Sequence, residues 1–189
     1  LDLTAATYTA LSDRAVRVQG SVFRPTPRYL VKLEGAAVVG QRTIFIGGIR
    51  DPILIAQIEP FLAALRERLG TVYPELVAGE ARINFHVYGK NGVMGELEPE
   101  KSFVPLEVAI LGEVTAPTQD LANAICSNAR IGVLHMPYEG QMATAGNFAI
   151  PLNPPENPIG PVCRFCLYHL MEVRSPHELF QAQLQEVGV

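Results

Sequence analysis

The chain contains no tryptophan, only three cysteines and few charged residues for its 189 residues. Charged residues make up 18% of the sequence and hydrophobic residues 48%. This composition excludes an intrinsically disordered chain, which lacks the apolar area needed to offset conformational entropy. Three cysteines also cannot supply the dense disulfide framework of a small secreted domain. We therefore expect a globular chain in a reducing, cytoplasmic setting.

Long apolar runs and basic clusters are absent as well. No stretch approaches the ~20 apolar residues of a membrane-spanning helix, and no basic segment followed by an apolar one opens the chain. The net charge is −4 and acidic and basic residues are interspersed, which argues against a nucleic-acid surface. We predict neither a nucleic-acid nor a membrane partner. Because residue 1 is Leu1, we expect a fragment, a processed product or one part of a longer polypeptide.

The first half of the sequence predicts a hairpin followed by a helix. Apolar and polar residues alternate from Tyr29 to Glu34, Gly35 ends this run, and a second extended run covers 38–46. Asp51 and Pro52 have the chemistry of a helix N-cap and first turn. The apolar residues that follow share one helical face, with Gly70 as the predicted end of the helix; they are Leu54, Ile58, Phe61, Leu62, Leu65 and Leu69.

The second half predicts two strands, a helix and a last strand. The strands at 81–88 and 106–114 each have one apolar face, and a helix begins near Pro117. The last strand, at 162–173, precedes a short helix signalled by Ser175 and Pro176. A connection of roughly 25 residues before this strand is far longer than usual, and such connections are commonly functional, disordered or docked on another surface.

From residue 38 the predicted order is strand, helix, strand, strand, helix, strand. This is the split βαβ arrangement (βαββαβ) of the ferredoxin-like fold, in the α+β class, here with an N-terminal β-hairpin and a long loop insertion before the last strand. We predict an N-terminal extension and hairpin strand at 1–37, a ferredoxin-like domain at 38–174 with the loop at 136–161, and a C-terminal helix or tail at 175–189. The helices would cover one sheet face. The polar residues of the strand at 81–88 would line the other, and they are Arg82, Asn84, His86 and Tyr88.

Cys163 and Cys166 have the spacing of zinc ligands in a turn. On a strand, however, an offset of three places the two side chains on opposite faces, and no second cysteine pair is present. Buried structural thiols are therefore favoured over a metal or redox site. We predict no metal and no cofactor.

Two other polar features have ordinary interpretations. The glycine-bearing segment 88–95 could cradle a phosphate, but glutamates rather than a helix follow it, so a hairpin loop is favoured. His86 with Glu107 and Glu113 could form an acid–base cluster on the open sheet face, although a polar or docking surface is favoured. His169 is predicted to lie in the core or at an interface.

The best candidates for ligand contacts lie around the long connection. Arg130 can donate a bidentate pair to a carboxylate, and the segment 144–147 contains a glycine that lets backbone N–H groups approach a ligand. The alternative is a helix terminus stabilised by cations and a loop packed on its own domain. We predict substrate contacts at Arg130, His135, Gly146 and Asn147. No nucleophile with its base can be assembled from the sequence, so the catalytic residues stay open.

Several segments together resemble the later part of acyclic terpene utilisation (AtuA-like) proteins. The resemblance covers nearly the whole chain and rests on the segments 2–4, 17–20, 24–27, 29–32, 116–123, 144–147, 168–173 and 176–180, with Cys126, Arg130, His135, Gly160 and Pro161 between them. It implies bacterial breakdown of branched or isoprenoid carboxylates, often as CoA esters. It also implies a large N-terminal α/β domain that this sequence lacks.

The resemblance leads to an expected function with two alternatives. We expect a subunit or C-terminal domain of an AtuA-like catabolic enzyme, a lyase or hydratase acting on a branched carboxylate or acyl-CoA, which contributes an interface and part of a substrate cleft within an oligomer. The first alternative is a non-catalytic structural or oligomerisation module that docks on a large α/β partner. The second is a small metal-binding protein that uses the cysteine pair.

Overall fold

A computed structural model describes residues 1–144 and 147–186. The protein is a mixed α+β structure in which these residues form two antiparallel sheets, of two and four strands, and four α-helices. In chain order the elements are β1 (Thr7–Ser12), β2 (Ala15–Gln19), β3 (Tyr29–Ile49), α1 (Pro52–Ala56), α2 (Ile58–Val72), α3 (Pro74–Ala78), β4 (Arg82–Tyr88), β5 (Val108–Ala116), α4 (Gln119–His135) and β6 (Glu156–Val173).

The chain divides into two compact units. Unit 1 comprises Leu1–Gly35 and Phe165–Val189, and unit 2 comprises Ala36–Arg164. The division falls inside the two longest strands, β3 and β6. Unit 1 therefore combines the beginning of the sequence with its end.

Unit 2 contains the hydrophobic core. Its sheet has the strand order β4-β5-β3-β6, and β5 is antiparallel to both β3 and β4. Phe45 lies opposite Gly112, which lies opposite Phe85, so these three residues share one sheet face. The apolar stripes of α2 and α4 are buried with this face in one cluster. Helix packing on one face of the sheet therefore organises the unit.

Glycines make room for the aromatic rings of this core. A Cβ atom added to Gly112 would lie 2.1 Å from the ring of Phe45, and one added to Gly47 would lie 2.3 Å from the ring of Phe148. Both distances are far inside van der Waals contact, so neither position accepts a larger residue without movement of a ring. The rings pack edge to face, with centroids 6.0 Å apart for Phe45 and Phe148.

The first helical region has the predicted cap and buried face, but the single helix predicted is divided at Gln57 into α1 and α2. Asp51 caps α1 by accepting a hydrogen bond from the Ile53 backbone N–H at 2.9 Å, and every residue of the predicted apolar stripe is buried. The predicted end at Gly70 is wrong, because α2 continues to Val72. Gly70 instead allows the approach of α3, since an added Cβ would lie 3.3 Å from Val77. Pro74, at the start of α3, explains why α2 ends just before it.

The hairpin predicted around Gly35 is also wrong. β3 runs without interruption from Tyr29 to Ile49. Gly35 lies where β6 approaches closely, because an added Cβ would lie 3.2 Å from the Cβ of Leu167, and a glycine inside a strand often marks such an approach. The observed N-terminal hairpin is formed by β1 and β2, which pair antiparallel from Thr7 to Gln19.

The end of the chain differs from the prediction in two ways. β6 begins at Glu156 rather than at Val162, which shortens the preceding connection to residues 136–155. The helix predicted after Ser175 is absent from the described residues, where the Glu178 N–H donates to the Ser175 carbonyl in a turn. None of the helices in 1–144 and 147–186 combines the length and hydropathy needed to cross a bilayer.

Candidate functional site

Helix α4 positions the first candidate, Arg130. The Thr118 hydroxyl caps this helix by accepting a hydrogen bond from the Leu121 N–H. From the last part of the helix, the Arg130 Nε donates to Glu156 Oε1 at 2.5 Å, and both side chains are largely buried. Arg130 was predicted to bind a carboxylate, and the carboxylate it binds in this structure is that of its own chain.

The ion pair controls the protonation of Glu156. Burial acts to raise the pKa of this carboxyl, but hydrogen bonds from Arg130 and Ser127, together with the Arg130 charge, hold the pKa below its ordinary value. Glu156 is therefore ionised throughout the neutral range. In this structure the Arg130 side chain is therefore paired with a carboxylate of its own chain.

We expect this pair to make stability depend on pH. A carboxyl with a lowered folded-state pKa stabilises the fold above its unfolded pKa, and this contribution is lost as the pH falls through the folded value. The free energy of unfolding of the wild type should therefore exceed that of Glu156→Gln at pH 7, and the difference should shrink below pH 4.5, the ordinary value for this group. Urea unfolding between pH 7 and pH 3 measures it.

Glu139→Gln is the matched control for this titration, since Glu139 is an exposed glutamate of the same unit. Its stability difference from the wild type should stay near zero across the range. A Glu156→Gln difference that is independent of pH would contradict the assignment of the ion pair.

The neighbouring thiol of Cys126 is not a nucleophile. Its side chain is fully buried, and burial, assisted by the Glu156 charge and opposed by the Arg130 charge, raises the thiol pKa to about 12. Because the thiolate is the reactive species, Cys126 is inert at neutral pH. It serves as a small apolar residue in the core.

His135 lies on a groove between α2 and α4. The groove has a volume of ≈210 Å³, and its lining includes the apolar Leu65, Leu69 and Ile131 with Arg68 and Asn128. The His135 side chain is exposed, and its Nδ1 lies 3.4 Å from the carbonyl oxygen of Thr144. Arg130 does not line this groove.

The two loop candidates have different outcomes. Asn147 donates from Nδ2 to the carbonyl oxygen of Ala143 at 3.0 Å, a hydrogen bond within the connection itself. Gly146 lies outside the described residues. The structure thus gives Arg130, His135 and Asn147 separate partners within the chain, and ligand binding by these residues stays a prediction.

The long connection packs on its own unit. Phe148 is buried between Phe45 and Gly47, and Ala149 exchanges two backbone hydrogen bonds of 2.8 Å with Gly48. Nearer its start, the Tyr138 hydroxyl donates to Asp51 Oδ2, and its ring packs edge to face on Phe61. Burial and the Asp51 hydrogen bond and charge raise the Tyr138 pKa to about 12. These contacts anchor the connection to unit 2 at Tyr138, Phe148 and Ala149.

The other polar candidates lie at the surface. Cys163 and Cys166 are both exposed, so the predicted burial of these thiols is wrong, and His169 is exposed rather than in the core. Most residues of β6 on both sides of the strand are exposed, so the alternation of the sequence did not indicate a buried face. Across residues 1–144 and 147–186 no group of three His, Cys, Asp or Glu side chains could hold a metal ion.

The open sheet face has one polar cluster. His86 Nε2 lies 3.2 Å from Glu113 Oε2, and Arg42 Nε lies 2.8 Å from Glu113 Oε1. In the described part of the chain, Glu107 makes no hydrogen bond or ion pair with this cluster. Glu113 thus lies between a histidine and an arginine, an arrangement of neighbouring charges that also occurs on ordinary polar surfaces.

Comparisons of this chain with protein-family models, with curated proteins and with solved structures found no match.

Sequence reasoning missed the two residues that organise this region, Glu156 and Phe148. Glu156 follows two prolines in a segment that reads as loop, and nothing in its spacing identifies it as the partner of Arg130. Phe148 could have been predicted to anchor the connection, because a lone aromatic side chain in a glycine-rich segment is stabilised by burial.

Proposed function

We propose that this chain is a non-catalytic assembly module, the AtuA-like C-terminal domain or subunit that docks on a large α/β partner through unit 1. One observation carries the proposal. Among the described residues of unit 1, the only buried hydrophobic side chain is Val173. A surface this rich in exposed apolar groups is typical of an interaction site.

The energetics of unit 1 support a partner. Ordering a residue costs about 1–2 kcal/mol in backbone entropy, which burial of apolar side chains normally offsets. Both strands of the hairpin formed by β1 and β2 are exposed along their whole length, and a two-stranded hairpin alone is marginal in water. Docking would supply the missing burial.

The docking surface is best defined in the apolar ribbon, which we define as residues 29–35 of β3 and 165–173 of β6. These strands are neighbours in the sheet. Phe165 and Tyr168 expose 70% and 74% of their surface, although they belong to the most apolar stretch of β6. Large aromatic side chains of this kind carry much of the binding energy at protein interfaces.

The charges of unit 1 fit an apolar protein partner. Six basic and six acidic residues give the unit a formal charge of zero, so the chain's −4 belongs to unit 2. Many of these charges pair within the unit, as in Arg24 with Asp2 at 2.8 Å and Lys32 with Glu34 at 2.6 Å. A neutral surface offers little to nucleic acid and little repulsion to an apolar protein surface.

The candidate ligand residues support the same conclusion. Arg130 is neutralised by Glu156, Asn147 is bonded within its own connection, and the Cys126 thiol stays protonated. In the described residues, no histidine ring is hydrogen-bonded to a serine, threonine or cysteine side chain. The chain therefore offers an interface more readily than a catalytic centre.

For unit 2 we propose the ferredoxin-like fold. The strand order β4-β5-β3-β6, the antiparallel pairing of β5 with both neighbours and the shared core of α2 and α4 support it. In that fold the helices cover one sheet face, and the other face is open to a partner.

A second candidate function is a contribution to a substrate cleft of an AtuA-like lyase or hydratase. The observation that favours it is the groove beside His135, whose apolar floor lies next to the cationic Arg68. Such a groove suits a small branched carboxylate or the acyl part of a CoA ester. Loss of turnover in Arg68→Ala and His135→Ala, with assembly intact, would favour this function over the first.

The assembly proposal predicts the effect of removing the exposed aromatic surface. In the triple variant Phe165→Ser, Tyr168→Ser and Leu170→Ser, we expect the α/β partner to be lost from the purified chain, because the removed groups supply the interface contacts. Stability of the isolated chain should change by no more than about 0.5 kcal/mol per site, since these side chains are exposed. Native mass spectrometry of the tagged chain, purified from the cells that produce it, measures the companion.

The matched control is Phe103→Ser with Leu106→Ser, two exposed apolar residues of unit 2. This variant should retain the partner in the wild-type ratio. If the triple variant keeps a stoichiometric partner, unit 1 is not the docking surface.

A further inference from the structure

The outer edge of β4 is an unpaired sheet edge. β4 lies at one end of the four-stranded order, and within residues 1–144 and 147–186 its only strand partner is β5. The backbone N–H and C=O groups of an edge strand form a template for another strand. Natural edges are commonly protected by proline, lysine or a bulge, and β4 contains none of these in its seven residues.

The sequence of β4 is complementary to itself in the antiparallel direction. If Phe85 lies opposite Phe85 of a second copy, Asn84 lies opposite His86 of that copy. The aromatic pair then lies on the apolar face of the sheet and the polar pair on the open face. In the same register Ile83 faces Val87, and Arg82 faces Tyr88. The aromatic pair and the pair of a cation with an aromatic ring are of kinds that stabilise antiparallel strands, and the other two pairs match in polarity. No two like charges oppose each other.

The space beside the strand can receive a second chain. Grooves of ≈590 and ≈640 Å³ lie along β4, and both are lined by Arg66 and Asn84. Phe85 is only partly buried at this edge, with the Arg66 guanidinium 4.9 Å above its ring. Arg66 and Glu67 lie side by side on α2, so the rim presents both signs of charge to a two-fold copy.

We infer that β4 is a self-association edge, where two copies of this chain pair their β4 strands antiparallel about a two-fold axis at Phe85. A closed two-fold interface of this kind uses the same surface on both copies and joins two four-stranded sheets into one of eight strands. The inference uses unit 2 alone and does not depend on the docking function proposed for unit 1.

Charge substitutions on the open face test the register without disturbing the core. In Asn84→Lys with His86→Lys, two pairs of lysines would oppose each other across the axis, and we expect the dimer dissociation constant to rise about tenfold or more. In Asn84→Lys with His86→Glu, each lysine would oppose a glutamate, so the dissociation constant should lie well below that of the double lysine variant. Sedimentation equilibrium measures both, with thermal unfolding as the check on folding.

Disulfide trapping tests the same register in a second way. In a background with Cys163→Ser and Cys166→Ser, a mixture of Asn84→Cys and His86→Cys chains should form a mixed disulfide dimer, because these positions oppose each other. Asn84→Cys alone should form none, because residue 84 does not meet its own copy.

Four results would overturn the inference. These are a wild-type chain that stays monomeric, a dimer that survives the double lysine variant, equal weakening in the lysine–glutamate variant, or equal trapping by Asn84→Cys alone. The expected pattern in both experiments would establish the edge and its register.

Discussion

Replacing Phe148 by alanine should lower the free energy of unfolding by about 3–5 kcal/mol, the usual cost of removing a buried aromatic side chain. The residue belongs to a connection that reads as loop, yet its side chain is 4% exposed and its ring packs edge to face on Phe45. Removing the ring would leave a cavity above Gly47. Gly47 has no side chain that could fill this cavity. Urea unfolding at neutral pH measures the loss.

Phe103→Ala is the control for this prediction. Phe103 also lies in a long connection of unit 2 but is 60% exposed, so its replacement should cost less than about 0.5 kcal/mol. Equal effects of the two substitutions would mean that the connection before β6 is not anchored in the core.

Phe45→Ala should have an effect of similar size, again about 3–5 kcal/mol. Phe45 is fully buried at the centre of the sheet and contacts the rings of both Phe85 and Phe148. Its ring also occupies the space left by Gly112. The same urea unfolding experiment applies, with the slope of the transition checked for a change in two-state behaviour.

The double variant shows whether the two rings act together. Phe45 and Phe148 are in contact, so the cost of removing both should fall short of the sum by about 0.5–1.5 kcal/mol, the usual coupling of an aromatic pair. Strict additivity would contradict the edge-to-face contact between the connection and the sheet.

The sequence predicted the helical core well because the information there is local. The Asp51 cap and the apolar stripe of α2 depend on residues within a few turns of one another. The roles of two glycines were predicted wrongly because they depend on distant parts of the chain. Gly35 and Gly70 have the residue type of a turn or a cap, but each lies where a distant element approaches its backbone, Leu167 for the first and Val77 for the second. Local patterns do not distinguish these two uses of glycine.

The candidate site was harder to predict because it depends on contacts between distant segments. Arg130 was predicted to bind a substrate carboxylate, which stays a prediction, and its partner within the chain, Glu156, comes from the start of β6, in a segment with no regular pattern. Tyr138 and Phe148 likewise contact residues that are distant in the sequence, Asp51 and Phe45. The connection predicted to be a functional arm is anchored to unit 2 at Tyr138 and at Phe148.

The exposure of the apolar side chains of unit 1 could not be predicted from the sequence. Its alternating strands look like ordinary half-buried strands, because the pattern states which face is apolar but not what covers it. The structure shows that the described residues of unit 1 leave nearly all of those side chains exposed. An exposed apolar surface with balanced charge is the physical basis of the assembly role that we propose.

Hydrogen–deuterium exchange of the full chain, alone and with its co-purified α/β partner, tests that role most directly. We expect the amides of the apolar ribbon, at 29–35 and 165–173, to exchange quickly in the isolated chain and to become protected in the complex, while β5 and α4 are protected in both states. A ribbon that is equally protected without the partner, or that stays unprotected in the complex, would contradict the assembly function.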